Sequence, residues 1–300
     1  MTLKQLEAFY WAAVSTNFSI AAERLHVSQS SLSKRILELE SQLGRPLFDR
    51  SGHRASMTEA GEMLLPLARN LLESADAVRG LMADSDTLSG LCRFGVGELG
   101  ATTWLPKLVT RTRTVYPRLV LEPHVDVGEA LEERLDRGEL DFAVVARLST
   151  RNSLTGQIIA DVRYTWAGPP DLMLGNTRLT GDALRKLTVI SMPAGAGSTR
   201  ILDKWLAVNN FEVGRRLVCN NLGAIAGLVT AGVGISFFPD VWLRTLVDRN
   251  ALVELKSDTP FPGLQYAFQW RRDDHRPRIR KLLQLVDEEV DFTTPNPLWV

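Results

Sequence analysis

SIAAERLHVSQSSLSKRILELESQL, residues 19–43, is the stretch whose reading decides the fold. It divides into two helices and a tight turn. Ser19 offers a hydroxyl to cap the first helix, and Ala21, Ala22 and Leu25 are its inward residues. The alanines are small enough for a second helix to cross closely. His26 and Val27 interrupt the pattern, and Ser28 offers a second cap. Leu32, Ile36, Leu39 and Leu43 then recur at helical spacing and define one face. Gln29, Ser30, Ser33, Lys34 and Arg35 open the other face. Hydroxyls, an amide and cations at a helix N-terminus suit a helix set end-on in a major groove, with polar tips on base edges and cations on phosphates. The pattern alone also describes an ordinary surface helix pair with a solvated face. The flanks separate the two readings.

The run GRPLFDRSGHRASMTEAG, residues 44–61, follows directly. Gly44 ends the helix, and Pro46, Leu47 and Phe48 anchor a short loop or hairpin. Arg50, His53 and Arg54 surround Gly52 as a basic tip. With these residues in place, the chain resembles the winged helix-turn-helix of LysR-type transcriptional regulators, and the resemblance extends over nearly the whole chain. It implies an N-terminal all-α winged helix-turn-helix with a long linker helix. It also implies a C-terminal α/β, two-lobed effector domain like periplasmic binding proteins. Double-stranded promoter DNA is the implied partner, met by Ser19, Ser28, Gln29, Ser30, Ser33, Lys34, Arg35 and the wing residues Arg50, His53 and Arg54. Two positions depart from the family: Ser30 stands where proline is usual, and Lys34 where arginine is usual. Lysine cannot make the bidentate guanine contact of arginine.

Length and composition set the outer bounds. Three hundred residues with 45% hydrophobic content allow more than one sizeable core. Lys plus Arg equals Asp plus Glu at 35 each, which excludes a basic protein that coats DNA. Residues 1–58 carry seven cations and five acids. This modest local excess fits site-specific binding by a dimer. Cys92 and Cys219 form no disulfide framework and no metal spacing. Both lie in strand-like apolar runs, where a buried cysteine is the plain reading and a redox pair the less favoured one. Met1 leads straight into a helix without a signal pattern, and no apolar run spans a bilayer. A cytoplasmic protein without membrane contact is expected.

Taken in order, Thr2 with Gln5 makes a capping box. Leu3, Leu6, Phe9, Tyr10, Ala13 and Val14 form the inner stripe of the first helix, with Trp11 beside it. Thr58 caps a long helix over 58–84, with Glu59 and Glu62 in its first turn. It is about 40 Å long at ~1.5 Å per residue. Leu64, Leu67, Leu71, Ser74, Val78 and Leu81 alternate in steps of three and four, which is a dimerising coiled-coil seam. Pro66 near its start is tolerable there. The polar stretch 84–90 is a hinge. The expected domains are thus 1–58 for DNA, 59–89 for linker and dimerisation, and 90–300 for regulation.

Beyond the hinge, strands at 91–97, 119–125 and 140–146 alternate with helices at 102–115 and 128–137, which predicts a parallel sheet. A second unit repeats the theme: strands at 187–191, 216–219 and 235–238, helices at 198–208 and 224–231. A strand at 264–270 and a helix at 276–292 close the chain. The resemblance sends this last pair back to the first lobe, giving lobe I at about 90–160 and 267–300 and lobe II at about 161–266.

Gly95, Gly97 and Gly100, with Glu122 after the next strand, formally match a dinucleotide fingerprint. A nicotinamide-dependent Rossmann enzyme is therefore the rival reading. Trp104 and Pro106 crowd the early helix, and His26, His53, His124 and His275 are scattered, so no catalytic set accompanies it. No cofactor or metal is expected. A helix N-terminus can instead hold an anion. Thr102 and Thr103 offer one such place, and Ser198, Thr199 and Arg200 in PAGAGSTR another. Arg147 and Asn220 with Asn221 are further candidates for the cleft, while Phe237 and Phe238 read as core. The resemblance places a small-molecule effector, expected to be anionic, between the lobes. Asp126 after its strand argues against a simple carboxylate at that end. A homodimer, extended to a tetramer by the C-terminal lobes, would bind an imperfect dyad. RNA polymerase is a further candidate partner, and a constitutive repressor with a vestigial cleft is a second alternative.

Overall fold

The computed structural model describes residues 1–15, 17–50, 55–82, 88–171, 178–274 and 276–294. The chain divides into two compact units, Met1–Asp86 and Thr87–Val300. The first four residues of the polar stretch at 84–90 lie outside the described residues.

The first unit holds helices α1 (Leu3–Val14), α2 (Phe18–Arg24), α3 (Gln29–Leu43) and α4 (Glu59–Met82), with the short strands β1 (Phe48–Asp49) and β2 (Ser56–Met57). The capping box forms as expected: Thr2 accepts from the Gln5 backbone N–H and donates its own N–H to the Gln5 side chain. The cap of α2 differs. Asn17 accepts from the Ile20 N–H at 2.9 Å, so α2 starts one residue before Ser19. Asn17 is in extended backbone, and Phe18 packs edge-on against Phe48, which fixes where the chain enters the helix. Ser28 caps α3, and Gly44 ends it in the left-handed region at φ 68°. Ala21, Ala22, Leu32, Ile36 and Leu39 are buried together with Leu6 and Phe9. Two expected inward residues are not inside. Leu43 is exposed because the last turn of α3 runs past this core, and Leu3 is exposed at the start of α1.

β1 and β2 pair antiparallel, Phe48 against Met57 and Asp49 against Ser56. The Glu40 carboxylate accepts from the N–H groups of Leu47 and Phe48 at 2.8 and 3.1 Å, tying the hairpin to α3. Thr58 accepts from the Gly61 N–H and caps α4, with Glu59 and Glu62 in the first turn and Pro66 inside. Leu64 faces inward, packing with Leu65, Ala68 and Leu72 on the core of this unit. It therefore does not belong to the exposed stripe. That stripe is Met63, Leu67, Leu71 and Val78, with Leu67 58%, Leu71 47% and Val78 58% exposed. The Leu81 side chain lies outside the described residues.

The second unit begins with β3 (Gly90–Val96), α5 (Glu98–Thr102), α6 (Leu105–Val115), β4 (Leu119–Val125), α7 (Gly128–Asp136), β5 (Phe142–Ala146) and β6 (Leu154–Val162). It continues with β7 (Tyr164–Gly168), β8 (Arg178–Leu179), α8 (Gly181–Lys186), β9 (Thr188–Ser191), α9 (Gly197–Val208), β10 (Arg215–Val218) and α10 (Leu222–Thr230). It closes with β11 (Ser236–Pro239), α11 (Asp240–Asp248), β12 (Val253–Glu254), β13 (Lys256–Ser257), β14 (Leu264–Arg271) and α12 (Pro277–Glu289). Lobe I is a five-stranded sheet in the order β4-β3-β5-β14-β6. β3 is parallel to β4 and β5, whereas β14 runs antiparallel to β5 and β6. Phe94, Phe142 and Phe268 stack through its core at 4.8 and 4.5 Å. In lobe II, β9 and β10 are parallel and β7 lies antiparallel between β11 and β12. Trp166, Trp205, Phe237 and Phe261 form its aromatic centre. The chain crosses between lobes at Arg163 and returns between β13 and β14.

The helix expected over 102–115 is α6, which starts only at Leu105, and a separate helix, α5, ends at Thr102. Thr103 leaves helical backbone at φ −107°, ψ −82°, and α6 restarts with Pro106 in its first turn, where the missing N–H costs nothing. β6 and β7 are elements the spacing did not reveal.

Asn17→Ala removes the Asn17 side-chain cap of α2 and should cost about 1 kcal/mol of local stability. Hydrogen exchange at the Ile20 amide should rise accordingly; an unchanged rate would assign the cap elsewhere.

Candidate nucleic-acid interface and ligand cleft

In the first unit the N-terminal half of α3 is at the surface. Gln29, Ser30 and Lys34 are exposed, and Ser33 and Arg35 are half-buried beside them. Ser19 does not cap a helix, but it stays in this group: its hydroxyl donates to the Gln29 side-chain oxygen at 3.1 Å. That bond occupies the Gln29 side-chain oxygen and leaves its NH2 group as the donor end. The Ser28 and Ser30 hydroxyls lie 2.9 Å apart. At this second helical position a backbone N–H has no partner within the helix, and serine supplies one where proline would not. Arg24 stacks over the Trp11 ring, 3.8 Å from its centroid, holding a further cation on this unit. Arg50 is engaged differently from expectation. It pairs with Glu40 at 3.2 Å, the same carboxylate that anchors the hairpin. His53 and Arg54 lie outside the described residues.

In the second unit a cleft between the lobes holds a cavity of about 70 Å³ that is partly open to solvent. Loop and strand ends of both lobes line it: Gly97, Glu98, Asp126 and Ala146 from lobe I, and Ser191, Ser198, Leu222 and Phe237 from lobe II. Tyr164 and Tyr266 also line it, with their hydroxyls 3.1 Å apart. Burial pushes the Tyr266 hydroxyl up to about 12 and raises Tyr164 well above its ordinary value. Both are neutral hydrogen-bonding groups at physiological pH.

Glu98 spans the cleft. Its carboxylate accepts from the Leu222 N–H at 2.5 Å, the Gly223 N–H at 3.1 Å and the Asn221 side-chain amide at 3.0 Å. An acid of lobe I thus occupies the N-terminus of α10 in lobe II, where the dipole and open N–H groups favour it. A second bridge joins Arg200 of α9 to Glu129 of α7 at 3.5 Å. Close approach there needs backbone without side chains. A Cβ on Gly195 would strike Glu129, and one on Gly197 would strike Ala146.

Of the residues expected in the cleft, Ser198 is there. Thr102 and Thr103 are not at a helix start. They end α5, and their hydroxyls donate to the carbonyls of Glu98 and Leu99. Thr199 is buried and donates to the Met192 carbonyl. Arg147 sits at φ 65° with its guanidinium on the Leu148 carbonyl, away from the lining. Asn220 is exposed outside the lining, and its neighbour Asn221 acts by capping α10 and holding Glu98. Glu98 was hidden because it sits inside the glycine motif. Tyr164 and Tyr266 carry only a core signal in sequence. Phe237 is both core and wall.

The glycine motif is packing rather than a phosphate cradle. Gly95 lets Leu131 and Ala143 close on β3, and Gly100 lets the buried Trp104 ring fold over α5. Glu122 pairs with Arg93 and His124. Cys92 is buried and Cys219 half-buried, and neither is in a disulfide. Among the described residues no group of three or more His, Cys, Asp or Glu could hold a metal ion, and no helix is long and apolar enough to cross a membrane.

Comparison with known proteins agrees with this anatomy. The family described as "Bacterial regulatory helix-turn-helix protein, lysR family" matches residues 3–62, and "LysR substrate binding domain" matches residues 85–291. A "Probable hydrogen peroxide-inducible genes activator" of Mycobacterium avium is 30% identical over 299 residues, covering 96% of this chain and 94% of the relative. The "Hca operon transcriptional activator HcaR" of Escherichia coli (strain K12) is 26% identical, covering 98% of this chain and all of the relative. Among solved structures, a full-length OxyR variant from Pseudomonas aeruginosa has the same fold at TM-score 0.72, with 23% identity over 96% of this chain and 94% of that one. Full-length CbnR complexed with its target DNA superposes at TM-score 0.62, with 20% identity over 97% of this chain and all of that one. The two domain matches span most of the chain, and the relatives are named as regulators rather than enzymes. The chain belongs to the LysR family of transcriptional regulators, with a DNA-binding helix-turn-helix and a separate effector-binding domain.

Proposed function

We propose that the chain is a cytoplasmic homo-oligomeric regulator that reads an imperfect dyad in promoter DNA and responds to a small polar molecule in its interlobe cleft. The observation that carries the DNA reading is the exposed N-terminal half of α3, where Ser19 orients Gln29 beside Ser33 and Lys34. The side-chain chemistry suits base edges for Gln29 and Ser33 and phosphate for Lys34. His53 and Arg54 of the wing are proposed to extend the contact.

Self-association is supported by the stripe Met63, Leu67, Leu71 and Val78. A helix with one face on its own core and an apolar opposite face gains by pairing with a second copy. Val120 on the edge strand β4 and Val218 on the edge strand β10 are also exposed, which supports a tetramer through the second unit. RNA polymerase is a proposed further partner of the DNA-bound assembly. A peroxide-sensing role like that named for the Mycobacterium avium relative is not favoured, because neither Cys92 nor Cys219 lines the cleft. A vestigial cleft is not favoured either, since polar groups of both lobes still converge on it.

Gln29→Ala should weaken operator binding by about 1–3 kcal/mol and relax preference at one base position. Lys34→Ala should weaken binding to all sequences and reduce the salt slope by about one. Fluorescence anisotropy across a salt series measures both; equal affinity and slope in the variants would refute the docking. Leu67→Glu with Leu71→Glu should give monomers in sedimentation, whereas an intact dimer would reject the stripe as the interface.

A further inference from the structure

The charge of the cleft restricts what it can hold. Among its lining residues are two carboxylates, Glu98 and Asp126, and no lysine, arginine or histidine. Glu98 is committed to the N-terminus of α10. Asp126 is exposed at the end of β4, and one of its oxygens accepts from the Val127 N–H at 2.7 Å. The cations that flank the lining in sequence are engaged elsewhere: Arg147 donates to the Leu148 carbonyl, Arg163 pairs with Asp240 and Arg200 with Glu129. A ligand carrying only negative charge would face two acids with no countercharge in the wall.

The opposite wall has the complementary character. α9 is a helix of 12 residues with no side-chain cap on its N-terminus, and its first residues, Gly197 and Ser198, line the cavity. Open N–H groups and the dipole favour a carboxylate there. Ser191 is an independent sign of a ligand. It lines the cavity, it is 1% exposed, and its hydroxyl has no hydrogen-bond partner. A buried hydroxyl without a partner is unfavourable by itself and marks a place where an outside group completes the bonding. The two walls are adjacent, because a Cβ on Gly128 would lie 4.0 Å from the Gly195 carbonyl oxygen.

We infer that the effector is a small zwitterion of the amino-acid class. Its ammonium pairs with Asp126, its carboxylate caps α9 beside Ser198, and Ser191 bonds one of its polar groups. This rests on the reading of the cleft as the effector site.

Calorimetry and thermal shift on the full chain test this. The probes are the twenty standard amino acids, with the 2-hydroxy acid and the decarboxylated amine of any that binds. At least one amino acid should bind saturably, with both analogues weaker by tenfold or more. In Asp126→Asn the amino acid and its hydroxy analogue should bind within about twofold of each other, a loss of discrimination that a merely structural role for Asp126 would not produce. Absence of binding by every amino acid at millimolar concentration overturns the proposal. So does an analogue without the amine that binds as tightly as its parent. Ser198→Trp separates the site from the ligand class. If it abolishes binding of an amine-free acid, the cleft is the site and the class is wrong. If an amino acid binds equally well to Ser198→Trp, the cleft itself is not the site.

Discussion

Three hydrogen bonds to one carboxylate organise the second unit. Glu98 leaves lobe I and ends on the N-terminus of α10 in lobe II. Charge-assisted bonds of this kind are stronger than neutral ones, and they join elements more than 120 residues apart. The Arg200–Glu129 pair and the bare backbone of Gly195 and Gly197 complete the contact. The cleft lies against this contact, since Glu98, Gly197 and Leu222 line it. Any molecule that alters the contact alters the angle between the lobes. It can act as a signal only through a difference in affinity between the two arrangements.

The first unit has a different constraint. α4 must serve two partners on opposite faces. Leu64, Leu65, Ala68 and Leu72 complete the core beneath α1, while Met63, Leu67, Leu71 and Val78 are left outside. A single helix therefore links the packing of the reading head to the apolar stripe proposed for pairing. α3 is held by both ends of this arrangement. Its buried Leu32, Ile36 and Leu39 lock it on the core, and Glu40 ties it to the hairpin. The polar residues at its start can then be presented rigidly, as specific contact requires.

Much of this was legible in the sequence. Helix starts at Thr2, Ser28 and Thr58 and the stop at Gly44 follow from local chemistry, and local bonds decide them. The β-α-β alternation of lobe I also shows in the periodicity. What the sequence hid depends on residues far apart in the chain. Nothing near Leu64 says that α1 will cover it, so it read as part of the seam. Thr102 and Thr103 were expected at a helix start, but the helix before them takes their hydroxyls. Glu98 and Asn221 are 123 positions apart, and only the folded lobes bring them together. The glycine motif was set aside as a phosphate cradle because Trp104 and Pro106 crowd the helix after it, and the fold gives the reason for two of its glycines: Gly95 admits Leu131 and Gly100 admits Trp104.

The central claim is that α3 forms half of a two-fold reader. Genome-wide mapping of the full-length protein, followed by footprinting on the strongest site, addresses this directly. The prediction is protection of two inverted half-sites on one face of the duplex, centred whole helical turns apart. Binding without a shared sequence, or a single unpaired half-site at physiological salt, would contradict it.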